Sequence, residues 1–334
     1  MRQPAIRYYL FPPFGENLSF ILNNNHELID EFGEILATYD LEVVIEEFNE
    51  RYLNQPYGDI WLKFRPLAYQ VHPYRWNTIG KEISHIENAT LTDVKDFFFR
   101  HYIPSNAILV VAGNVTLSQV RTLSEKWFGP IPSGKKMTRK LAQEPVQKEK
   151  RILNVEADVP ANAFYKTFHM PGRFHEDFYA IDLMGDILSR GHSSRMYQQL
   201  VKEKEVFTSI SSFSMGTIDP GLLVVSGRIR EGIELEKAEA EVDDLLSKFV
   251  REGARPEELE KVKNQAEATL EFDKVEVMNR AMNLAFADLS GDADLVNKEG
   301  DKIKKVSLTD IKRVAEDILE EKNSSVMFYR SRSN

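Results

Sequence analysis

The pattern of apolar and polar positions occurs twice along the chain. Residues 91–112 read LTDVKDFFFRHYIPSNAILVVA, and residues 308–329 read LTDIKRVAEDILEEKNSSVMFY, in a register without gaps. Each copy opens with a Thr and an acidic residue, then has helical spacing, which predicts an N-capped helix. Each copy ends in an apolar run, AILVVA or SVMFY, which predicts a buried strand. Such a repeat predicts a duplicated α+β domain.

A second, weaker sequence similarity between the two halves supports the duplication. The apolar runs ILVVAGNV (108–115) and LLVVSGRI (222–229) both have Gly at the sixth place. Residues 131–150 are polar, basic and contain Pro, which is typical of a linker. We therefore predict a first domain at 1–130 and a second domain at 151–330.

The order of strands and helices in the second domain can be predicted from the sequence. RILNVEAD and AFYKTFHM are predicted as paired strands, and TSISSFS and LLVVSGRI as further strands; EDFYAIDLMGDILS, SSRMYQQLVKEK and LEKAEAEVDDLLSKFVRE are predicted as helices. Gly253 is placed to end the last of these helices, and Pro256 is placed to open another. The apolar groups FFF at 97–99 and FHM at 168–170 are predicted to lie in cores.

The two predicted domains differ in length before the repeat. Arg151 and Leu308 are 157 residues apart, whereas 90 residues precede Leu91, a difference of 67. If the domains are duplicates, the first lacks a front portion. The sequence therefore predicts an N-terminal truncation.

Composition limits the classes of function. The chain has 334 residues, 42% of them hydrophobic and 28% charged, which predicts a soluble globular protein. A net charge of −9 argues against nucleic acid as a partner, because phosphate binding requires clustered Lys and Arg. We find no signal peptide and no apolar run long enough for a membrane span. The absence of Cys excludes disulfides and thiolate metal sites, and leaves the cellular compartment undecided.

Glu46 and Glu47, in the stretch EVVIEEFNERYLNQPYGD, allow two readings. They are either an ordinary solvated helix face or the source of a metal ligand. A metal site needs further ligands, usually His, at the same point. None of the seven His lies in an H-E-x-x-H or H-x-x-E-H motif, and only His26, Glu27 and Asp30 have a zincin-like spacing. No G-x-S-x-G, P-loop or G-x-G-x-x-G motif is present either.

Several ordered blocks resemble one enzyme family. VVIEEFNERYLNQPYGD, HPYRWNTIG, LTDVKDFFFRHYIPSNAILVVAGNV, EKWFGPIP and ILSRGHSSRMYQQLVKEKEVF are similar to the pitrilysin/insulinase zinc metallopeptidases, the inverzincins. Their relatives include the mitochondrial processing peptidase. The resemblance implies a duplicated α+β domain, each copy an antiparallel-rich sheet packed with helices. It also implies zinc-dependent hydrolysis of peptides or unfolded proteins, which are enclosed between two halves and bound partly by strand addition.

The resemblance implies a role for Glu47. In the family, H-x-x-E-H supplies two His ligands and a general base, and a Glu about seventy residues later is the third zinc ligand. VIEE, with Val44 three residues before Glu47, matches the context of that third ligand. The H-x-x-E-H position then falls upstream of Met1, so this chain holds no identifiable catalytic residue. We expect Zn²⁺ in the intact protein but no tight zinc binding, and no activity, in this chain alone.

A second family feature is also missing. Active members often bind the substrate carbonyl with an Arg and a Tyr seven residues apart, and Val201 and Thr208 stand at those positions. This implies a homologous peptidase subunit that supplies the Arg/Tyr pair. Ser193, Ser194 and Arg195 are predicted to cap and pack a helix rather than to catalyse. Two alternatives stay open: a non-catalytic peptidase-like binding or scaffold subunit, and a generic α+β ligand-binding protein.

Overall fold

The computed structural model of the protein describes residues 8–10, 18–20 and 40–332. Its strands are β1 (Tyr8–Leu10), β2 (Leu18–Phe20), β3 (Arg151–Ala157), β4 (Ala163–Met170), β5 (Phe207–Met215), β6 (Gly221–Ile229) and β7 (Ser324–Ser331). Its helices are α1 (Asp40–Phe48), α2 (Ile60–Ala68), α3 (Ile83–Glu87), α4 (Leu91–His101), α5 (Leu117–Trp127), α6 (Phe178–Ser189), α7 (Leu235–Glu252), α8 (Pro256–Asp273), α9 (Val277–Leu289), α10 (Leu295–Lys305) and α11 (Leu308–Ile318).

The described residues form two compact units. One contains residues up to Leu62, residues 76–141 and residues 276–294; it includes the β1–β2 hairpin. The other contains residues 63–75, 142–275 and the chain from Leu295 onward. This second unit holds a five-stranded sheet in the order β3-β7-β4-β6-β5. The pairing of β3 with β7 is parallel and the other three pairings are antiparallel.

One face of the five-stranded sheet packs against helices. Side chains of a strand alternate between its two faces, so every second residue of β4 points toward α6, α7 and α11. Phe164 and Phe168 of β4 and Phe328 of β7 lie in the same apolar core as Ile181 of α6 and Val314 of α11. These core residues are almost completely shielded from solvent, which makes this face the main source of hydrophobic stabilisation in the unit.

A buried cation interrupts this apolar face. Lys166 of β4 is 1% exposed, and its Nζ lies 3.2 Å from the Glu239 carboxylate and also bonds Asp243, both on α7. Lys150 adds a second cation to Glu239 at 2.7 Å. Burial raises the pKa of Asp243, although the nearby Lys166 opposes that rise. A buried charge is tolerated only when it is paired, so these acids hold α7 over β4.

The opposite face of the sheet is covered by residues 63–75 of the same unit. Phe64 of α2 is fully buried, with its ring 6.4 Å from that of Tyr165 on β4. At the end of the helix, the carbonyl of Ala68 accepts from the Arg151 guanidinium at 2.8 Å and lies 2.7 Å from His169 Nε2. Side-chain donors often satisfy the last carbonyls of a helix in this way, and here they attach α2 to β3 and β4.

The chain after α2 is held by one carboxylate. The consecutive backbone N–H groups of Gln70, Val71 and His72 all donate to Glu144, each at 2.8 Å. Burial alone would raise the pKa of Glu144, but these three hydrogen bonds outweigh it and lower that pKa. Nearby, the buried Gln147 amide donates to the carbonyl of Ser324 at 2.7 Å. Residues 142–147 therefore act as a clamp at this face.

Most elements predicted for the second half are confirmed. The strands, the helices α6, α7 and α8, and the end of α7 at Gly253 (φ +74°) agree with the sequence patterns. The segment 197–203 is helical with π geometry. The predicted pairing of β3 with β4 is wrong, because β7 lies between them and pairs with both. The last strand of the chain, β7, hydrogen-bonds to the edges of β3 and β4 that were predicted to face each other. Local sequence patterns do not show which strands pair over such a distance.

The two copies of the repeat behave differently. Helices α4 and α11 each have 11 residues and a capping box in which Asp93 or Asp310 bonds the N-cap residue. A 3-10 turn follows each helix, but only the second copy continues into a strand. Residues 107–112, predicted as a strand, are irregular. The fold is thus α+β with one antiparallel-rich mixed sheet, and the described residues do not show duplicated sheets.

Two predicted core groups had different outcomes. Phe168 and Met170 are buried, as predicted. The prediction is wrong for Phe97 and Phe99, which are 55% and 57% exposed. Helix α4 buries none of its side chains, because among the described residues it has no sheet to pack against. The proposed domain boundaries at 130 and 150 stay a prediction.

The hydrogen bonds to Glu144 predict that removing its charge destabilises the protein more than removing the charge of Glu149 in the same segment. Glu144→Gln is expected to destabilise the protein by about 1–2 kcal/mol, because three backbone donors lose a charged acceptor. It should also speed hydrogen exchange at residues 70–72. Glu149→Gln is the matched control, because Glu149 is exposed in the same segment. Urea unfolding measures the free energy of unfolding, and mass spectrometry measures hydrogen exchange at residues 70–72. If Glu144→Gln and Glu149→Gln have the same stability and the same exchange rates, Glu144 does not hold this turn.

Candidate functional site

Glu47 lies in the last turn of α1, beside the buried Phe48. Its side chain is 36% exposed, and its Oε1 accepts from Arg51 Nη2 at 2.8 Å, one helical turn later. Exposed ion pairs of this type contribute little to stability, so the carboxylate can exchange this partner at small cost. Glu46 is more exposed than Glu47. The geometry leaves the Glu47 carboxylate accessible for a second role.

The described residues do not complete a zinc site around Glu47. They contain no group of three His, Asp or Glu side chains placed to hold a metal ion. Catalytic zinc requires three protein ligands. His26, Glu27 and Asp30 lie outside the described residues, and the whole sequence has no H-x-x-E-H motif. Glu47 alone therefore does not fit the requirements of a catalytic zinc ion.

Val201 lies in the helical segment before β5, and Thr208 lies in β5 itself. Val201, in the helical segment 197–203, packs against the apolar core of the second unit. Thr208, at the start of β5, is exposed and donates to the backbone carbonyl of Arg228 at 3.2 Å. An isopropyl group cannot donate a hydrogen bond, and the Thr208 hydroxyl is occupied within the sheet. Neither position provides the cationic or phenolic donor that the family resemblance associates with it.

In the Ser-Arg segment, Arg195 packs against the start of α8, as predicted, whereas the segment 197–203 has no side-chain cap. Arg195 donates through Nε and Nη2 to the two oxygens of Glu258, at 2.9 and 2.6 Å, and also to the carbonyl of Gly253 at 2.8 Å. Both side chains are nearly buried. Burial alone would raise the pKa of Glu258, but the hydrogen bonds from Arg195 and from the Arg255 backbone lower it to about 2. This bidentate pair attaches the start of α8 to the segment before β5.

His72 lies in a small polar cluster with Tyr74 and Asp219. It is 3% exposed, its Nδ1 accepts from the Tyr74 backbone N–H at 3.2 Å, and its Nε2 lies 3.6 Å from the Asp219 carboxylate. The Tyr74 hydroxyl donates to that carboxylate at 3.4 Å. An imidazole and a single carboxylate are too few for a metal ion. The cluster orders the 3-10 turn Pro73–Arg75.

Glu144 and Lys166 are important residues that sequence reasoning missed. Glu144 lies in the predicted linker, and its partners are more than seventy positions away. Lys166 lies in an apolar strand, and its partners are on α7. A Lys inside an apolar strand is the one local signal that could have predicted a buried ion pair, because an unpaired charge there is too costly.

Comparison with protein families and known proteins gives a consistent result. The family model of the peptidase M16 inactive domain matches residues 88–266. The zinc protease PqqE of Helicobacter pylori is 28% identical over 323 residues, which cover 92% of this chain and 72% of that protein. The uncharacterized zinc protease YmxG of Bacillus subtilis is 25% identical, over 72% of this chain and 57% of its own length.

Solved structures agree with these matches. The crystal structure of a protease from Helicobacter pylori has a TM-score of 0.82 and 26% identity, and the match covers 93% of this chain and 74% of that one. A peptidase M16 inactive domain from Pseudomonas fluorescens has a TM-score of 0.77 at 15% identity, over 91% and 74% of the two chains, which shows a common fold. In the described part of the chain, no helix is both long and apolar enough to cross a bilayer.

The Arg195–Glu258 pair predicts a large effect of a single substitution. Glu258→Gln is expected to destabilise the protein by about 3 kcal/mol, because a buried guanidinium loses its counter-charge. Glu241→Gln is the control: it breaks the more exposed pair with Lys204 and should cost less than about 1 kcal/mol. Urea unfolding at pH 7 measures both costs.

The same pair predicts a pH dependence. The folded pKa of Glu258 is about 2, below the ordinary value of 4.5, so its stabilisation is present above about pH 4.5. That stabilisation is lost as the pH falls toward 2. The stability gap between the wild type and Glu258→Gln should therefore narrow over this range. A gap that stays constant with pH would contradict the lowered pKa.

Proposed function

The chain belongs to the peptidase M16 family, and we propose that it is a subunit of a zinc-dependent metalloendopeptidase that hydrolyses peptides or unfolded proteins. The match of residues 88–266 to the M16 inactive domain shows the family. Similarity to proteins named as zinc proteases is the observation that carries the proposed chemistry. By itself the chain lacks the H-x-x-E-H motif, so we expect it to be inactive alone.

We propose Glu47 as the third zinc ligand of the assembled enzyme. The V-x-x-E context that Val44 and Glu47 share with the family supports this role, and the exposed ion pair with Arg51 leaves the carboxylate able to take it. The other ligands and the general base would come from an H-x-x-E-H helix that the present sequence does not contain. Zinc, when bound, polarises the peptide carbonyl and activates water. In this proposal Arg51 is a partner that Glu47 exchanges for the metal ion.

A homologous M16 subunit is the partner that the proposal requires. Val201 and Thr208 cannot bind a substrate carbonyl through a guanidinium or a phenol, so the Arg/Tyr pair must come from another domain. The inactive-type match is consistent with a chain that works beside a catalytic M16 domain. The substrate would be an extended peptide, which such enzymes bind by strand addition and side-chain pockets.

A second candidate function is non-catalytic. Because the matching family model describes an inactive domain, the chain could serve as a peptidase-like binding or scaffold subunit. The two functions differ in what Glu47 does. A catalytic subunit needs the Glu47 carboxylate for zinc, whereas a scaffold subunit does not.

The assay compares two adjacent carboxylates in the assembled enzyme. The dialysed chain alone should contain far less than one zinc ion by plasma mass spectrometry and should not cleave a fluorogenic peptide. When the chain is extended at its N-terminus by an H-x-x-E-H helix and mixed with an M16 subunit that supplies the Arg/Tyr pair, cleavage should appear and chelator should abolish it. Glu47→Gln should then lower kcat/KM by about 100-fold or more, as expected when a metal site is disrupted. Glu46→Gln should stay within about twofold of the wild type, because a solvated neighbour holds no metal.

Two results would contradict parts of this proposal. Equal activity of Glu47→Gln and wild type would exclude Glu47 as a ligand. Peptide binding by the extended chain without cleavage, beside every M16 subunit that supplies the Arg/Tyr pair, would favour the scaffold function.

A further inference from the structure

The face of the five-stranded sheet that points away from α6, α7 and α11 has a polar depression beside β5. Side chains alternate along β6, and since Val225 lies in the apolar core, the next residue faces the other side. The depression has a volume of about 340 Å³, and the residues that line it all belong to the second unit. Five of them have polar side chains: Tyr165 of β4, Ser209 and Ser211 of β5, and Ser226 and Arg228 of β6. The depression therefore combines one guanidinium with four hydroxyl groups, and none of the described residues that line it is acidic.

The register of the strands brings these side chains together. Ser209 of β5 lies opposite Arg228 of β6. Ser211 lies opposite Ser226, which has Tyr165 of β4 opposite it on its other side. Directly opposed residues of paired strands lie on the same face of a sheet, with Cβ atoms about 5 Å apart. Three paired strands therefore hold the five polar groups in one patch.

A β-bulge in β5 directs the two serines to this face. The register of β5 against β6 shifts between Phe207 and Ser209, so Thr208 is the extra residue. Phe207 is fully buried in the apolar core, whereas Ser209 and Ser211 are exposed. In a regular strand, residues 207, 209 and 211 would share one face. The bulge thus turns the aromatic ring to the core and the serine hydroxyls to the depression, a change of direction that bulges often produce beside functional sites.

The polar groups of the depression are oriented by contacts with one another. Arg228 Nη1 donates to the Tyr165 hydroxyl at 2.9 Å, and the guanidinium carbon lies 6.0 Å from the centre of the tyrosine ring. The hydroxyls of Ser211 and Ser226 lie 3.3 Å apart and share one hydrogen bond. Two hydroxyls hold two protons and use one between them, so this pair can donate the other. A guanidinium has its N–H donors in a planar fork, which matches the two oxygens of a carboxylate.

We propose that this depression binds a carboxylate group of a peptide, with Arg228 as its ion-pair partner and Ser211 and Ser226 as hydrogen-bond donors. A carboxylate carries one negative charge, and Arg228 is the only cation among the described residues that line the depression. A phosphate group carries about −1.5 to −2 charges at pH 7, which one guanidinium leaves partly unbalanced. The choice of a peptide as carrier rests on the proposed function, because a peptidase subunit meets extended peptides. The site itself requires neither zinc nor H-x-x-E-H.

The charge of the whole chain makes a preference for acidic peptides diagnostic. With a net charge of −9, the chain repels an acidic peptide at long range. Non-specific electrostatics therefore favours a neutral peptide over an acidic one. A preference for the acidic peptide must come from a local cationic site, and it should weaken as added salt screens that ion pair.

The test is saturation-transfer NMR of the full chain with three acetylated tripeptides. The first has a central Glu and an amidated C-terminus, the second has Gln in place of that Glu, and the third has Gln and a free C-terminal carboxylate. The first or the third should bind at least about tenfold more tightly than the second, which corresponds to about 1.4 kcal/mol. Whichever of the two binds more tightly shows whether a side chain or a C-terminus supplies the carboxylate.

Three variants locate the site. Arg228→Gln should abolish the preference for a carboxylate. Arg230→Gln is the matched control: Arg230 is exposed, pairs with Glu205 at 3.2 Å and does not line the depression, so its variant should bind like the wild type. Ser211→Ala removes one hydroxyl donor at an exposed position, so it should fold normally and weaken binding by about threefold.

Several results would overturn the proposal. These are the absence of binding by any probe, equal binding of all three peptides, a preference that survives in Arg228→Gln, and full binding by Ser211→Ala. Inorganic phosphate that competes better than acetate would assign the depression to phosphate groups and would also overturn it. Cleavage is not measured in this test, so a failure of the proposed peptidase activity in the assembled enzyme would be seen separately.

Discussion

The second unit depends on a sheet whose central strands must be covered on both faces. Seven of the eight residues in β4 are buried, and the same is true of β7. Side chains of a strand point alternately to its two faces, so burial at nearly every position requires a layer on each side. Helices α6, α7 and α11 form one layer. Residues 63–75, which come from a distant part of the sequence, contribute to the other.

This requirement explains why so many polar groups converge on residues 63–75. A short helix end and a turn have unpaired backbone groups, which are costly beside an apolar sheet. Arg151 and His169 satisfy the carbonyl at the end of α2, and Glu144 satisfies three N–H groups after it. The polar contacts thus allow this segment to serve as a cover, while Phe64 supplies the apolar contact. The Glu144 carboxylate has the lowered pKa expected of such a site.

The sequence predicted the elements of the second half well because their signals are local. Caps, helical spacing and Gly253 determine where α7, α8 and α11 begin and end. The order of the strands was less predictable. Strand β7 lies between β3 and β4, and which strands pair depends on contacts along the whole chain and not on local patterns. Glu144 could not be predicted either, since its three donors are backbone groups of a distant turn. The strand predicted at 107–112 fails for a related reason: a strand exists only with a partner.

The surroundings of Glu47 are far less specific than those of the sheet. An exposed carboxylate with an Arg four residues later is an ordinary feature of a helix surface, and its geometry does not distinguish a ligand from a solvated charge. A metal site is defined by several groups that converge, and the described residues contain no such convergence around Glu47. The family resemblance therefore carries the whole difference between the two readings. The structure adds one condition. To bind a metal ion, Glu47 must break its ion pair with Arg51, and because that pair is exposed, breaking it costs little free energy.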